Sequence, residues 1–359
     1  MTYTCFTKLQ KNNIKENIMK KIILMFIALS TLSTLCLADG VRLSEFGSYN
    51  LTKAWTREVP KVENQKILAV AGDYVYVGGT SEETVQKRLR TNGDIVWSET
   101  RLMDLWDEGY TSRIIVDSNY NMYTSKGDML YKYNDAGVLQ WDTQTDTDAI
   151  QICAISSDET YLLCKKGESI WLPRKVAVIN TSTGAEVVSF AIVIDETNAA
   201  ISYSSMFDGD NNLIICCGMS GDTNKNGITS VYKYDIAGEY KWHANYIGVF
   251  GSFSFHADEP NRQYIAVDID NNIWAYQSSP FSDVNIRKLG RDSGNVLASE
   301  ELTTTPKGVF ALSTGDIITV HYDYSENELT LRRYNTNIAL QNTEVHTDIT
   351  EYYRTVVIQ

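Results

Sequence analysis

Positions 130–141 read LYKYNDAGVLQW, positions 231–242 read VYKYDIAGEYKW, and positions 331–342 read LRRYNTNIALQN. A chain that repeats itself at long intervals folds as an array of like units, and the interval selects the unit. The repeat is anchored on a tryptophan. Gly93 to Trp97, Gly137 to Trp141 and Gly238 to Trp242 share the spacing G-x-x-x-W. Trp55 keeps the tryptophan without the glycine. Gly184 and Gly294 keep the glycine, with Val188 and Ala298 in the tryptophan slot, and Asn342 closes the series with neither. The slots lie 42 to 56 residues apart, the period range of β-propeller blades.

Each copy has the same internal order. An apolar run such as Tyr264–Val267 comes first, then a tight polar turn: DSNYN at 117, DGDNN at 208, DIDNN at 268. Asp and Asn suit such turns because they tolerate left-handed backbone and bond their own neighbours. A second strand follows, as in YVYVGG at 74. A third alternates, so that Leu130 and Lys132 share one face and Tyr131 and Tyr133 the other. A glycine turn then leads to a fourth strand ending at the slot. No stretch after residue 40 sustains a helical period. A four-stranded unit of this size buries both faces only by stacking on like units around an axis. The fold expected is all-β: a seven-bladed propeller of four-stranded antiparallel blades, with the tryptophan filling the outer space between neighbours. Val41–Trp55 and Tyr352–Gln359 would together form the blade that closes the ring. Ile247–Gln263 breaks the period and reads as an insertion between blades.

Residues 1–38 stand apart. Met19-Lys20-Lys21 precedes an apolar run that ends at Cys36-Leu37-Ala38, the plan of a bacterial secretory signal peptide cleaved near Ala38, with Met19 as the expected start. The run is short for a membrane span. The domain division expected is 1–38 as an upstream extension plus signal peptide and 39–359 as a single propeller, periplasmic or secreted. The formal charge is −13, so the surface repels phosphate backbones and anionic lipids. Nucleic acid is excluded as a partner, and so is membrane insertion of the mature chain.

The strand–turn–strand unit ending in G-x-x-x-W resembles the blade of the PQQ-like (quinoprotein-like) β-propellers. That superfamily holds periplasmic scaffolds of the BamB kind as well as quinoprotein dehydrogenases. Val178-Ile-Asn180-Thr-Ser-Thr183-Gly184 resembles the family's A-x-D-x-x-T-G motif. Three of the slots lack tryptophan, and the Asp position is shifted in several copies. The resemblance implies the fold; it leaves function open, because this architecture hosts unrelated activities.

Asp222, Asn224 and Asn226, followed by Gly227, match the D-x-N-x-N-G opening of a calcium loop. Lys233 stands where an EF-hand has its twelfth-position Glu, and the plainer reading is a polar hairpin tip. Calcium is the only cofactor the sequence suggests. Adjacent Cys216 and Cys217 lie within a strand, so their side chains point to opposite faces. Quinoprotein alcohol dehydrogenases place such a pair against their cofactor, but no quinone site accompanies it here. Cys153 and Cys164 flank the turn at Ser157–Thr160 and are expected to face each other. A disulfide and two buried free thiols both stay open. His256, Asp258 and Glu259 lie in the insertion as a rim site. No zinc spacing, nucleophile elbow or nucleotide loop occurs. These observations point to an exported, non-enzymatic binding or scaffold module for a protein or glycan partner on one propeller face. The alternative is an enzyme in the central funnel, a PQQ-dependent oxidoreductase or a glycan lyase or hydrolase.

Overall fold

Among the described residues six antiparallel sheets follow one another in sequence, each a meander in which neighbouring strands are consecutive. The structure, a computed structural model, describes residues 67–78, 85–99, 114–146, 149–167, 173–195, 198–219, 227–250, 265–277, 284–302, 304, 306, 308–312, 314–323 and 328–346. The chain divides into two units, Met1–Asp39 and Gly40–Gln359, and all described residues belong to the second.

Blade 1 comprises β1 (Ile67–Ala71), β2 (Tyr74–Gly78), β3 (Val85–Leu89) and β4 (Ile95–Glu99). Blade 2 comprises β5 (Ile115–Val116), β6 (Met122–Lys126), β7 (Met129–Tyr133) and β8 (Leu139–Gln144). Blade 3 comprises β9 (Ala149–Ile155), β10 (Tyr161–Gly167), β11 (Pro173–Asn180) and β12 (Glu186–Ala191). Blade 4 has five strands: β13 (Val193–Asp195), β14 (Asn198–Phe207), β15 (Leu213–Met219), β16 (Gly227–Tyr234) and β17 (Tyr240–Phe250). Blade 5 comprises β18 (Ile265–Val267), β19 (Ile273–Gln277), β20 (Val284–Leu289) and β21 (Val296–Leu302). Blade 6 comprises β22 (Gly308–Ala311), β23 (Ile317–Asp323), β24 (Glu328–Tyr334) and β25 (Leu340–His346).

The inner strands pack in chain order: β1 beside β5, then β9, β14, β18 and β22. One apolar cluster fills each joint between consecutive blades. Tyr76 and Met122 anchor joint 1/2, Leu130 and Leu162 joint 2/3, and Val178 and Leu213 joint 3/4. Ile214 and Ile273 anchor joint 4/5, and Trp274 and Ile317 joint 5/6. Each fully buried Leu or Ile contributes about 2 kcal/mol by leaving water. This is the all-β propeller that the repeat implies. Six blades are described; the seventh, expected from Val41–Trp55 and Tyr352–Gln359, falls outside the described residues.

The turns between first and second strands close as tight hairpins. In blade 4 the Asp208 amide donates to Asn212 O (2.9 Å), and the Asp208 carboxylate accepts the Asp210 and Asn212 amides (2.9 and 2.8 Å). These turns also bind one another. Glu159 accepts from Ser118 N and Oγ (2.7 and 2.6 Å), Asn211 donates to Asp158 (3.0 Å), and Gly209 N donates to Asn271 (2.8 Å).

Three details differ from expectation. Cys153 and Cys164 are not partners. A β-bulge in β9 pairs Leu163 with Ala154 but Cys164 with Ile152, leaving Cys153 unopposed. A one-residue slip of this kind turns the side chains to opposite faces. Cys153 packs in joint 3/4 and Cys164 in joint 2/3, and all four described cysteines are buried and outside any disulfide. The irregular segment does not begin at Ile247, because β17 runs on to Phe250, which pairs with Gly227. Blade 4 carries the additional strand β13, which pairs with the start of β14.

Candidate functional site

The G-x-x-x-W motif is a joint device whose two residues act in different joints. On the sheet, each tryptophan opposes a third-strand lysine: Trp97 with Lys87, Trp141 with Lys132, Trp242 with Lys233. Each indole N–H donates to a turn carbonyl of the next blade, of Asp135 (3.0 Å), Thr181 (2.9 Å) and Arg291 (2.9 Å). The paired ammonium donates to the same carbonyl at 3.3, 3.0 and 2.9 Å. The indole then lies over the glycine of that turn. A Cβ on Gly137, Gly184 or Gly294 would come within 3.0, 2.9 or 2.6 Å of the ring of Trp97, Trp141 or Trp242. Glycine is required there both for that approach and for its φ of +67 to +78°. Joint 5/6 has the complementary solution. Ala298 leaves the slot small, and Ile338 takes the glycine's place at φ 64°, buried against Ala298. Lys288 is kept and donates to Thr336 O (3.2 Å).

Lys87, Lys233 and Lys288 are buried cations with local compensation, and Lys132 is half-buried. Lys233 pairs with Asp208 at 2.8 Å and Lys288 with Asp268 at 3.1 Å, both carboxylates being wholly buried. Lys87 pairs with Asp135. Aromatic faces line the same sites: Lys87 sits 3.7 Å from the Tyr74 centroid, Lys132 5.2 Å from Tyr123, and Lys288 5.2 Å from Trp274.

Joint 3/4 departs from all of this. Its slot pair is Val178 opposite Val188, so the slot holds neither indole nor ammonium. Phe190 comes over Gly238 instead, within 2.9 Å of where a Cβ would stand. Aromatic rings run outward from it: Phe190 to Tyr234 (4.7 Å), Tyr234 to Tyr232 (6.3 Å, stacked), and Tyr232 to His243 (5.3 Å, interplanar 18°). Burial pushes the Tyr232 phenol up to about 12 and raises that of Tyr234 further. The series ends at Tyr240, edge-on to Tyr234 at 5.9 Å and 52% exposed. Tyr240 and His243 are three apart, and in a regular strand they would point opposite ways. The bulge in β17 pairs Tyr234 with Tyr240 and Lys233 with Trp242, skipping Lys241. This returns both to one face, and Tyr240 Oη meets His243 Nδ1 at 2.6 Å. Every described fourth strand has the same bulge, yet these two positions hold Ile95 and Ser98, Leu139 and Asp142, Glu186 and Ser189, Val296 and Ser299, and Leu340 and Thr343 elsewhere. The propeller therefore does not need a tyrosine–histidine pair there. Comparing those two positions across the copies would have found it in the sequence.

The sequence-predicted sites fare differently. Asp222, Asn224 and Asn226 lie outside the described residues, as do His256, Asp258 and Glu259. Lys233 belongs to β16 and to the buried pair with Asp208, not to a loop. Among the described residues no group of three or more His, Cys, Asp or Glu could hold a metal ion. Cys216 faces joint 4/5 and Cys217 joint 3/4, and burial pushes the Cys216 thiol up to about 12. His321 is buried between Thr304 and Thr319, each hydroxyl 2.9 Å from a ring nitrogen; burial, and secondarily Arg332, lower its pKa to about 4. Lys166 is buried with Asp146 and with Glu186 (2.6 Å) as partners.

The fold and these joints define the class: a β-propeller. No family model matches the chain, and no curated protein does. Solved propellers do match. The structure of U3-55K aligns at 13% identity over 80% of this chain and 84% of that one, with a TM-score of 0.54. Dihydro-heme d1 dehydrogenase NirN, in complex with DHE, aligns at 10% identity over 81% of this chain and 56% of that one, with a TM-score of 0.51. BamB from Moraxella catarrhalis aligns at 10% identity over 81% and 76%, with a TM-score of 0.49. The propeller plan implied by the family resemblance is the plan observed, and BamB is among its structural neighbours. At these identities the likeness is one of fold.

Proposed function

We propose that this chain is an exported propeller that serves as a binding or scaffold module for a partner protein. One observation carries the reading. The six strands that pack around the axis, β1, β5, β9, β14, β18 and β22, contain no Asp, Glu, His, Lys or Arg among them. General acid–base or metal-assisted chemistry in a central funnel needs such groups within reach of a substrate. The departures from the repeat collect instead in blade 4, at its additional strand, its long outer strand and its exposed tyrosine–histidine pair. Scaffolds of this kind carry recognition where the regular pattern is given up. Among the described residues no helix is long and apolar enough to cross a membrane. The signal-peptide plan of residues 19–38 supports export.

Affinity capture from the native cell envelope tests the reading. The expected result is a partner retained by the tagged mature chain and displaced by untagged protein. Dye reduction after addition of PQQ and calcium, or turnover of a glycan, would assign the chain to the enzymes instead.

A further inference from the structure

We propose that the Tyr240–His243 ledge on blade 4 is a docking point for a cationic side chain, a guanidinium or ammonium group, of a partner protein. The proposal rests on the partner-binding reading above. The molecule's other joints show what such rings accept. Joints 1/2, 2/3, 4/5 and 5/6 each hold a slot lysine, and in three of them the ammonium lies against an aromatic face. Joint 3/4 has this series of rings and Val178 in the slot lysine's position; its buried Lys165 stands opposite Val176, outside the slot. Its outermost ring is open to solvent.

The ledge is also held in place before any partner arrives. Tyr240 is fixed by its bond to His243, and His243 lies flat on Tyr232. Little side-chain freedom remains to be lost on binding. The electron-rich face of an exposed tyrosine ring attracts a cation. Charge complementarity selects the same ligand. The chain carries −13, and Lys241, the nearest basic side chain in sequence, is held by Asp235 at 2.8 Å. An anionic group or a second copy of this acidic chain would be repelled. Glu239, adjacent to Tyr240, is exposed.

The test uses the full mature chain and NMR signals of the Tyr240 and His243 rings. N-acetyl-arginine amide is the probe, with N-acetyl-leucine amide and cellotetraose as comparators. The expected result is a saturable shift of both rings with the arginine probe alone. Tyr240→Phe, which keeps the ring, should retain binding, and Tyr240→Ala should weaken it about fivefold or more. Shifts with cellotetraose but not arginine would make the ledge a glycan site and overturn the proposal. Arginine shifts unchanged in Tyr240→Ala, or no shift at all, would also overturn it. The two readings fail separately. A partner captured equally by wild type and Tyr240→Ala keeps the scaffold reading and removes the ledge. Arginine binding at Tyr240 with no partner captured does the reverse.

Discussion

Joints 4/5 and 3/4 lie on the two faces of one sheet, and they are built on opposite plans. Joint 4/5 is specified by charge and hydrogen bonds: Trp242 and Lys233 converge on one carbonyl of Arg291, and Asp208 balances the lysine from a wholly buried position. In joint 3/4 the slot is filled by apolar packing, with Val178, Val188 and Phe190 where the other has an indole and an ammonium, and hydrogen bonds are left to the turns, as between Asn211 and Asp158. The first plan recurs with variations around the ring and belongs to the fold. The second occurs once among the described joints, and only there do aromatic rings continue out to solvent. Blade 4 thus separates what the propeller requires from what it can spend on recognition.

Substitutions can sharpen or break that contrast. The largest effect is expected at Lys233→Met, which strands the buried Asp208 carboxylate and should cost about 3–5 kcal/mol in chemical denaturation. The double variant with Asp208→Asn should recover part of it. Trp242→Ala should cost about 3–5 kcal/mol through the cavity and the lost turn contact, whereas Val188→Ala, in the same slot one joint earlier, should cost only about 1–2. Equal costs would erase the distinction between the joints. His321 gives a pH signature. Its folded pKa, about 4, lies below the ordinary 6.5, so the unfolded chain binds the proton first. Stability should be full above pH 6.5 and fall between 6.5 and 4 by at most about 3 kcal/mol, a slope absent in His321→Asn. The smallest effect is expected at Tyr240→Ala, within about 0.5 kcal/mol of wild type because the ring is half exposed. A large loss there would make Tyr240 part of the fold.

Much of the architecture was legible because a repeated packing problem leaves a repeated sequence. The slots at 97, 141, 188, 242, 298 and 342 all fall on fourth strands. Leu130 and Tyr133 face opposite joints, as alternation requires, and so do Cys216 and Cys217. What escaped depends on single-residue register. The bulge in β9 separates Cys153 from Cys164, and the bulge in each fourth strand decides which residues join the slot on one face. Neither leaves a compositional mark. The sharing of one motif between two joints also escaped, since spacing along a chain does not reveal which blade a side chain meets. A lysine or arginine nine or ten residues before most slots, at 87, 132, 233, 288 and 333, was readable and marks the joint cations. Its absence at Val178 is the signal that points to joint 3/4.

A double-mutant cycle between Trp242 and Gly294 tests most directly whether each blade docks its fourth strand on the next blade's glycine turn. Gly294→Ala alone should cost about 2–3 kcal/mol, combining left-handed backbone with a clash against the indole, and only about 1 in the Trp242→Ala background, where the backbone strain alone remains. A coupling of 1 kcal/mol or more is predicted. Costs that add to within about 0.3 kcal/mol would mean that the two residues do not meet, and would contradict the joint from which the rest follows.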